Sequence, residues 1–163
     1  TQNTMLRLCY GLGWRVPEIV QLKLTDIDSK NMQVLIERGK GKKDRYLTLS
    51  IYLAKTIQNY LQEVKPRMYL FEGQTPSQPM GERSIQYIIN EALQKTNIKK
   101  QVSMHTLRHS FATHLLEDGV NIQSIQQALG HSDMRTTMVY LHVAQIKPNL
   151  AHSPLDTLYN IKA

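Results

Sequence analysis

The segment His105-Thr106-Leu107-Arg108 carries the densest group of chemically active side chains in the sequence. Residues three apart share one face of a helix, so His105 and Arg108 would lie side by side while Leu107 points toward the core. A guanidinium group donates paired hydrogen bonds to phosphate oxygens, and an imidazole gains or loses a proton near neutral pH. The pair therefore predicts a site that binds a phosphate and moves a proton, unless it lies on an ordinary solvated helix face.

Five other residues carry useful chemistry but are weak signals when each is taken alone. His131 lies at a predicted helix end, and Tyr140 follows it by nine residues. Arg15 and Glu18 are three residues apart at a helix start, and Lys40 lies in a glycine-rich turn. Each also has a plain structural interpretation, such as a core aromatic, a surface ion pair or a solvated lysine. Only their order along the chain can make them informative.

Metal and nucleotide chemistry find little support in the sequence. His105 and His109 are four residues apart and His114 is near, but a zinc-protease helix needs Glu where Thr106 stands. The chain has no GxxxxGK[ST] loop, and its one cysteine, Cys9, argues against cysteine-rich zinc modules. We therefore expect neither a metal ion nor another cofactor.

The composition fits one globular domain with a polyanionic partner. The chain has 163 residues, of which 41% are hydrophobic, enough to bury a core. Lys and Arg total 20 against 13 Asp and Glu, and the resulting net charge of +7 favours nucleic acid as the partner. No apolar run approaches a membrane span and no signal peptide is visible. We expect a cytoplasmic, nucleoid-associated protein that does not bind membranes.

The elements that must position these residues are predicted from apolar spacing and turn residues. The pattern of Met5, Leu8, Cys9 and Leu12 predicts a first helix. Pro17 suits the first turn of a second helix, which would continue through Ile19, Val20, Leu22 and Leu24. The strand-like runs 33–36 and 45–49 flank a basic turn, so we expect a β-hairpin with Lys40 near its tip.

The remainder is predicted to be helical, apart from a loop over 66–83. Ser50, Ser84 and Ser132 are expected N-caps, and Gly130 is expected to close a helix in the left-handed conformation. The apolar stripes are, in chain order, Leu53, Ile57, Tyr60, Leu61 and Val64; Ile85, Ile88, Ile89, Ala92 and Leu93; Leu107, Phe111 and Leu115; and Ile122, Ile125 and Leu129. The last helix would run from Ser132 through Tyr140. The predicted fold class is mainly α with a small antiparallel sheet (α+β).

Five short motifs, taken in order, resemble the catalytic domain of the tyrosine recombinase (phage integrase) family. They are Gly13-Trp14-Arg15-Val16-Pro17-Glu18, Gly39-Lys40-Gly41, the segment from His105 to His114, Leu129-Gly130-His131-Ser132, and Thr136-Thr137-Met138-Val139-Tyr140. Their style is similar to Xer-like, integron-integrase-like and insertion-element-associated members. Each motif is weak alone, but the order and spacing of all five are specific and cover nearly the whole chain.

The resemblance implies site-specific recombination of double-stranded DNA through a 3′-phosphotyrosine intermediate, without metal or ATP. The implied catalytic set is Arg15, Lys40, His105, Arg108, His131 and Tyr140, with Tyr140 as the nucleophile and Glu18 in support. Within it, His105 is the implied base, Lys40 the acid that protonates the leaving oxygen, and His131 a donor to a non-bridging oxygen. Further expected contacts to DNA are Lys42, Lys43, Arg45 and Arg135.

The resemblance also carries expectations about assembly. Residues 1–163 would be an N-terminally truncated C-terminal catalytic domain that lacks the family's N-terminal DNA-binding domain. It would be a monomer when free and a homotetramer on paired recombination sites, with the tail 143–163 docking in trans on a neighbouring protomer. Trp14 and Pro17, beside Arg15, depart from the family pattern, which usually has Leu and a small hydroxyl residue at these two positions.

Two other functions stay open at this point. A helix-turn-helix over 122–140 would make the protein a non-catalytic DNA-binding regulator, which explains the basic charge but not the ordered catalytic set. A type IB topoisomerase shares the chemistry but relaxes supercoils without exchanging partners.

Overall fold

A helical body packs around a small antiparallel sheet in the computed structural model, which describes residues 2–37 and 44–144. The helices are α1 (Gln2–Leu12), α2 (Val16–Val20), α3 (Ile51–Val64), α4 (Glu82–Gln94), α5 (Met104–Glu117), α6 (Ile122–Leu129) and α7 (Met134–Met138), with 3₁₀ turns at Leu24–Asp26 and Val139–His142. The strands are β1 (Ile27–Asp28), β2 (Gln33–Ile36) and β3 (Arg45–Thr48). The predicted fold class is confirmed.

Helix α1 packs against α3 and α5 and buries the four residues that its spacing predicted, namely Met5, Leu8, Cys9 and Leu12. Burial raises the pKa of the Cys9 thiol to about 12, so this side chain is a packing group at neutral pH. No helix in the part of the chain described by the structure is both long and apolar enough to cross a membrane.

The sheet has the order β1-β2-β3, with both neighbouring pairs antiparallel. Val34 lies opposite Leu47, and Ile36 lies opposite Arg45. The buried side chains Val34, Ile36 and Leu47 face the core, which gives β2 and β3 the alternation that predicted them. β1 was missed because two residues are too few to show alternation. The hairpin tip that contains Lys40 lies outside the described residues.

Helix ends were predicted less well than helix existence. Ser50 caps α3 as expected, since its hydroxyl oxygen accepts from the Leu53 N–H at 3.2 Å. The Ser84 prediction is wrong, because α4 begins at Glu82 and the Ser84 N–H already donates to Gly81 O within the first turn. Ser132 is also wrong as a cap: the carboxylate of Asp133, one residue later, accepts from the Arg135 N–H at 2.9 Å.

Two helices are shorter than predicted. α2 ends at Val20, so Leu22 and Leu24 are not part of it, and α7 ends at Met138, so Tyr140 lies in the following 3₁₀ turn. Gly130 does close α6 in the left-handed conformation, with a φ of 65°.

Helix α5 lies between two apolar clusters, and this explains why its pattern misled. Its buried residues are Met104, Arg108, Ala112, Thr113 and Leu116, whereas the predicted stripe Leu107, Phe111 and Leu115 is only half-buried. Met104 belongs to the main core, and Ala112 and Leu116 to a smaller cluster that includes Tyr140. A helix covered on several sides has no single apolar face, so Arg108 is buried as well, while Leu107 packs half-buried against the main core as expected.

Candidate active site

Arg108 is a buried cation held by backbone carbonyl groups. Only 4% of the Arg108 residue is exposed to solvent. Nη1 donates to Gly13 O at 2.6 Å, and Nη2 donates to Leu129 O at 2.7 Å. Burial, and next the positive charge of Arg15, lower the pKa of Arg108 to about 10, so the group still carries its charge at neutral pH. The charge is therefore held in place by two segments that are distant from Arg108 in sequence.

The C-terminal end of α6 gathers three arginines from three different elements. Arg45 Nε donates to Ala128 O at 3.0 Å, Arg108 Nη2 to Leu129 O at 2.7 Å, and Arg15 Nη2 to Gly130 O at 3.3 Å. The last carbonyls of a helix have no partner within it, and they form the negative end of the helix dipole. Consecutive free carbonyls can therefore hold like-charged side chains close together.

Glu18 supplies the negative charge between Arg15 and Arg45. Its Oε2 accepts from the Arg15 backbone N–H at 2.9 Å and from Arg45 Nη2 at 3.0 Å. Its Oε1 accepts from Arg45 Nη1 at 2.9 Å and from Arg15 Nη1 at 3.3 Å. Burial raises the pKa of Glu18, but the bonds from Arg45 and Arg15 and their charges outweigh it, so the pKa lies below its usual value. The carboxylate is ionised at neutral pH.

His131 connects the buried arginine to the segment that carries the tyrosine. Its Nε2 lies 3.1 Å from Arg108 Nη2, and its Nδ1 lies 2.9 Å from Thr137 Oγ1. Thr137 is fully buried, so its hydroxyl is held in place beside Nδ1. The position of His131 after the left-handed Gly130 is what turns its side chain back toward Arg108.

Tyr140 is buried beside these cations, with only 4% of the residue exposed. Its ring stacks on His131 with 6.5 Å between centroids, and it packs against His109 at 4.8 Å. Burial raises the pKa of Tyr140 above its usual value, while the charges of Arg108 and Arg15 act in the opposite direction. The phenol is therefore protonated at neutral pH and needs a base before it can attack.

The structure brings together Arg15, Glu18, Arg108, His131 and Tyr140 among the residues singled out from the sequence. His105 lies in the first turn of α5 and is exposed, and its side chain has no hydrogen-bond partner within 2–37 and 44–144. Lys40, Lys42 and Lys43 lie outside the described residues. Arg135 is 92% exposed and pairs with Asp133 at 2.8 Å.

The guanidinium group of Arg45, a predicted contact to DNA, lies among the other groups of the site. Its side chain is 11% exposed and its guanidinium is bound to Glu18 and Ala128. It faces the interior of the site rather than an open surface.

Two residues of the site were missed as functional candidates. His109 was considered only as a metal ligand, and its contact with Tyr140 depends on a fold that brings α5 beside the second 3₁₀ turn. Thr137 was noted only as part of a motif, and a buried threonine three residues before the tyrosine gives no chemical signal by itself. Across 2–37 and 44–144 the structure has no group of three or more His, Cys, Asp or Glu residues that could hold a metal ion.

The arrangement has the parts that a phosphoryl transfer needs. Two guanidinium groups can stabilise negative charge on phosphate oxygens, and their carbonyl partners fix them before a substrate arrives. A phenol beside them can act as a nucleophile if a base removes its proton.

The family model described as "Phage integrase family" matches residues 1–146, so the chain belongs to that family. A tyrosine recombinase of Pseudothermotoga lettingae is 43% identical over 141 residues, which cover 85% of this chain and 48% of that protein. A tyrosine recombinase XerD of Staphylococcus saprophyticus is 37% identical over 150 residues, which cover 88% of this chain and 50% of that protein. The chain spans about half the length of these curated relatives.

Solved structures share the fold. The XerA recombinase is 28% identical with a TM-score of 0.76, and the match covers 98% of this chain and 61% of that one. The XerH recombinase bound to difH substrate, in a pre-cleavage complex, is 26% identical with a TM-score of 0.70, covering 98% and 45%. The catalytic domain of bacteriophage HP1 integrase is 25% identical with a TM-score of 0.62, covering 98% and 80%.

Proposed function

We propose that this chain is the catalytic part of a site-specific DNA recombinase that breaks and rejoins strands through Tyr140. The observation that carries the proposal is the burial of the Tyr140 ring against His131, which itself contacts the carbonyl-bound Arg108. A phosphate that approached Tyr140 Oη would enter the field of two cations, since both Arg108 and Arg15 act on the Tyr140 hydroxyl. Membership of the phage integrase family supports the same activity.

The reaction is a transesterification in which bonds are exchanged without an energy source. Tyr140 Oη attacks the scissile phosphorus, a new phosphorus–oxygen bond forms, and the bond to the 5′-oxygen breaks. The phenolic proton goes to a base, for which we propose His105, and the leaving 5′-oxygen receives a proton, for which we propose Lys40. The 5′-hydroxyl of a partner strand then reverses the step and releases Tyr140.

Arg15 and Arg108 would stabilise the charge that develops on the non-bridging oxygens. The free end of Arg108 is limited by its two carbonyl bonds, so its role is to present a fixed charge rather than to follow the substrate. Arg15 is more exposed and holds its carbonyl partner at a longer distance, which leaves it freer to engage phosphate.

Double-stranded DNA is the proposed substrate, and a homotetramer on paired sites the proposed assembly, with a free monomer in the cytoplasm. The named XerH complex with its difH substrate supports DNA as the substrate class. The proposed trans docking of the tail 143–163 falls mostly outside the described residues and is tested by truncation after Ser153: assembly on paired sites should fall while the melting temperature of the monomer stays unchanged.

The test uses a pool of nicked duplexes of randomised sequence, incubated with the chain and separated by denaturing electrophoresis. We expect a protein–DNA adduct with the chain and none with Tyr140→Phe, and sequencing of the trapped DNA gives the preferred site. Absence of any adduct, with binding intact, favours a helix-turn-helix regulator. Adducts without strand exchange between two duplexes favour a topoisomerase.

A further inference from the structure

All three guanidinium nitrogens of Arg45 bind groups of the site. Arg45 is the first residue of β3, and its Nε, Nη1 and Nη2 atoms each hold a partner. The two Nη atoms form a paired contact with the Glu18 carboxylate, which is the strongest geometry available to an arginine. With 11% of the side chain exposed, this group is poorly placed to bind a DNA phosphate.

The Glu18 carboxylate divides its four described hydrogen bonds equally between two arginines. Two come from Arg45, and two come from the backbone N–H and Nη1 of Arg15. The bonds from Arg45 are 2.9 and 3.0 Å long, whereas the side-chain bond from Arg15 is 3.3 Å long. Arg45 therefore fixes the orientation of the carboxylate, and the carboxylate in turn limits where the Arg15 side chain can lie.

Arg45 also connects α2 and α6, whose ends lie beside proposed catalytic residues. Its partner Glu18 lies on α2, directly after Arg15, and its partner Ala128 lies near the end of α6, three residues before His131. A displacement of Arg45 would therefore affect the start of α2 and the end of α6 together.

We propose that Arg45 is a positioning residue that aligns Arg15 through Glu18, and that it is not a contact to the DNA backbone. The proposal rests on the proposed strand-cleavage function and adds a residue to its machinery. It replaces the sequence-based expectation that Arg45 binds DNA.

The test separates binding from the cleavage step. Adduct formation is measured under single turnover, at saturating protein, on a nicked duplex selected from the pool. Affinity and its salt dependence are measured on the same duplex with Tyr140→Phe as the background. For Arg45→Gln we expect the cleavage rate to fall about 100-fold, as misplacement of a catalytic group by about 1 Å can cause. We expect the affinity to change less than about twofold and the salt slope to be unchanged.

Arg45→Lys is the matched variant, because it keeps the charge that a phosphate contact needs but lacks the paired donors. Under the proposal it cleaves as slowly as Arg45→Gln. A phosphate contact predicts the opposite: a salt slope lowered by about 0.9 in Arg45→Gln, normal affinity in Arg45→Lys, and full cleavage at saturation. That result overturns the proposal. Arg135→Gln is the control that shows how the loss of one exposed positive charge changes the salt slope of DNA affinity.

Two further measurements keep the outcome decisive. If Arg45→Gln does not fold, the double variant Glu18→Gln/Arg45→Gln removes both charges together, and wild-type cleavage by this folded variant would overturn the proposal. If the unmodified chain forms no adduct, the proposed function has failed, but Arg45 is still tested by ¹⁵N relaxation of the Arg15 Nε–H group. Arg15 should become mobile in Arg45→Gln, and unchanged Arg15 relaxation contradicts the positioning role.

Discussion

The Nη2 atom of Arg108 lies 3.1 Å from Nε2 of His131, and this contact fixes where the imidazole proton lies. A guanidinium group only donates hydrogen bonds, so Nε2 must be the accepting nitrogen of a neutral ring. The proton is then on Nδ1 and is donated to Thr137 Oγ1, 2.9 Å away. In this state His131 cannot also donate to a phosphate through Nε2. Such a role requires that Nε2 releases Arg108 and carries a proton when DNA binds, as it does in the other tautomer, in which Nδ1 accepts from the Thr137 hydroxyl.

Thr137→Val should slow adduct formation by about tenfold, the rate equivalent of one hydrogen bond worth about 1.4 kcal/mol. The valine keeps the buried volume but removes the oxygen that holds the Nδ1 proton. Single-turnover cleavage of a nicked duplex measures the effect. Thr136→Val is the control, because Thr136 is exposed and its neighbour is buried. Equal rates for the two variants would show that the hydrogen bond between Thr137 and His131 does not support cleavage.

Gly13→Ala should lower the free energy of unfolding by about 2–5 kcal/mol, from backbone strain and from overpacking. Gly13 has a φ of +59°, and an added Cβ would overlap the ring of Phe111. Its carbonyl also accepts from Arg108, so cleavage should fall as well.

Gly119→Ala is the matched control for Gly13→Ala in urea unfolding. Gly119 has a φ of +85° but nothing within 4 Å of an added Cβ, so only the backbone term of about 1–2 kcal/mol should remain. If both variants lose the same stability, the contact with Phe111 is not a constraint on this turn.

Features of the fold that depend on residues close together in the sequence were predicted well. The α1 stripe, the Ser50 cap and the Gly130 helix end follow from nearest neighbours, and the structure confirms them. The predicted cap Ser132 failed because Asp133 does the same task one residue later, and Ser84 failed because α4 begins after Gly81, which makes no side-chain cap. These helix starts differ from the predicted ones by one to three residues, because neighbouring positions compete for the N-cap and apolar spacing does not choose between them.

The arginine arrangement depends on long-range contacts that no spacing reveals. The sequence left open whether Arg108 binds a phosphate or lies on a solvated helix face, because helical periodicity shows none of its distant partners. Arg108 is buried because Gly13 and Leu129, from two other segments, offer carbonyl groups. Arg45 was predicted to contact DNA, and the sequence did not indicate that Glu18 would hold its guanidinium group. Burial of a charge depends on its partners, and these come from the tertiary fold.

Acid should destabilise the fold through Glu18. The pKa of Glu18 in the folded state lies below its usual value, so its contribution to stability is complete above the usual range for glutamate. That contribution is lost as the pH falls through the lower folded-state pKa. The free energy of unfolding, measured by denaturant titration across this range, should therefore decrease as the pH is lowered.

Glu18→Gln should be less stable at neutral pH by about 3–5 kcal/mol, because it leaves Arg45 buried without its carboxylate. The variant should also lose part of the acid dependence. Asp133→Asn is the comparison, since Asp133 also has a lowered pKa but pairs with an exposed arginine. A pH profile of Glu18→Gln that runs parallel to that of the unmodified chain would assign the acid sensitivity to other groups.

Adduct formation should continue in the presence of a chelator such as EDTA. Arg15 and Arg108 place fixed positive charge around Tyr140. In other phosphoryl-transfer enzymes, divalent ions supply the positive charge that stabilises the transition state. The rates on a nicked duplex with and without EDTA should agree within error. Loss of activity in EDTA that is restored by Mg²⁺ would contradict this assignment.

Arg108→Lys should reduce the cleavage rate by about 100-fold to 1,000-fold, the usual cost of removing one group that stabilises transition-state charge. Arg108 holds Gly13 O and Leu129 O with separate nitrogens while its Nη2 also contacts His131. A single ammonium group cannot reproduce this planar fork, so the charge is kept but its direction is lost. Single-turnover rates on the selected nicked duplex measure the loss.

The pH dependence of Arg108→Lys distinguishes direction from charge. Burial that lowers the pKa of Arg108 to about 10 would act on a lysine at the same place as well, and a lysine starts from a lower usual pKa. The ammonium would therefore lose its proton at a lower pH than Arg108 does. If only charge matters, Arg108→Lys cleaves normally at low pH, where the ammonium is protonated, and slows as the pH rises. If direction matters, as we expect, the rate is low even where lysine is fully charged.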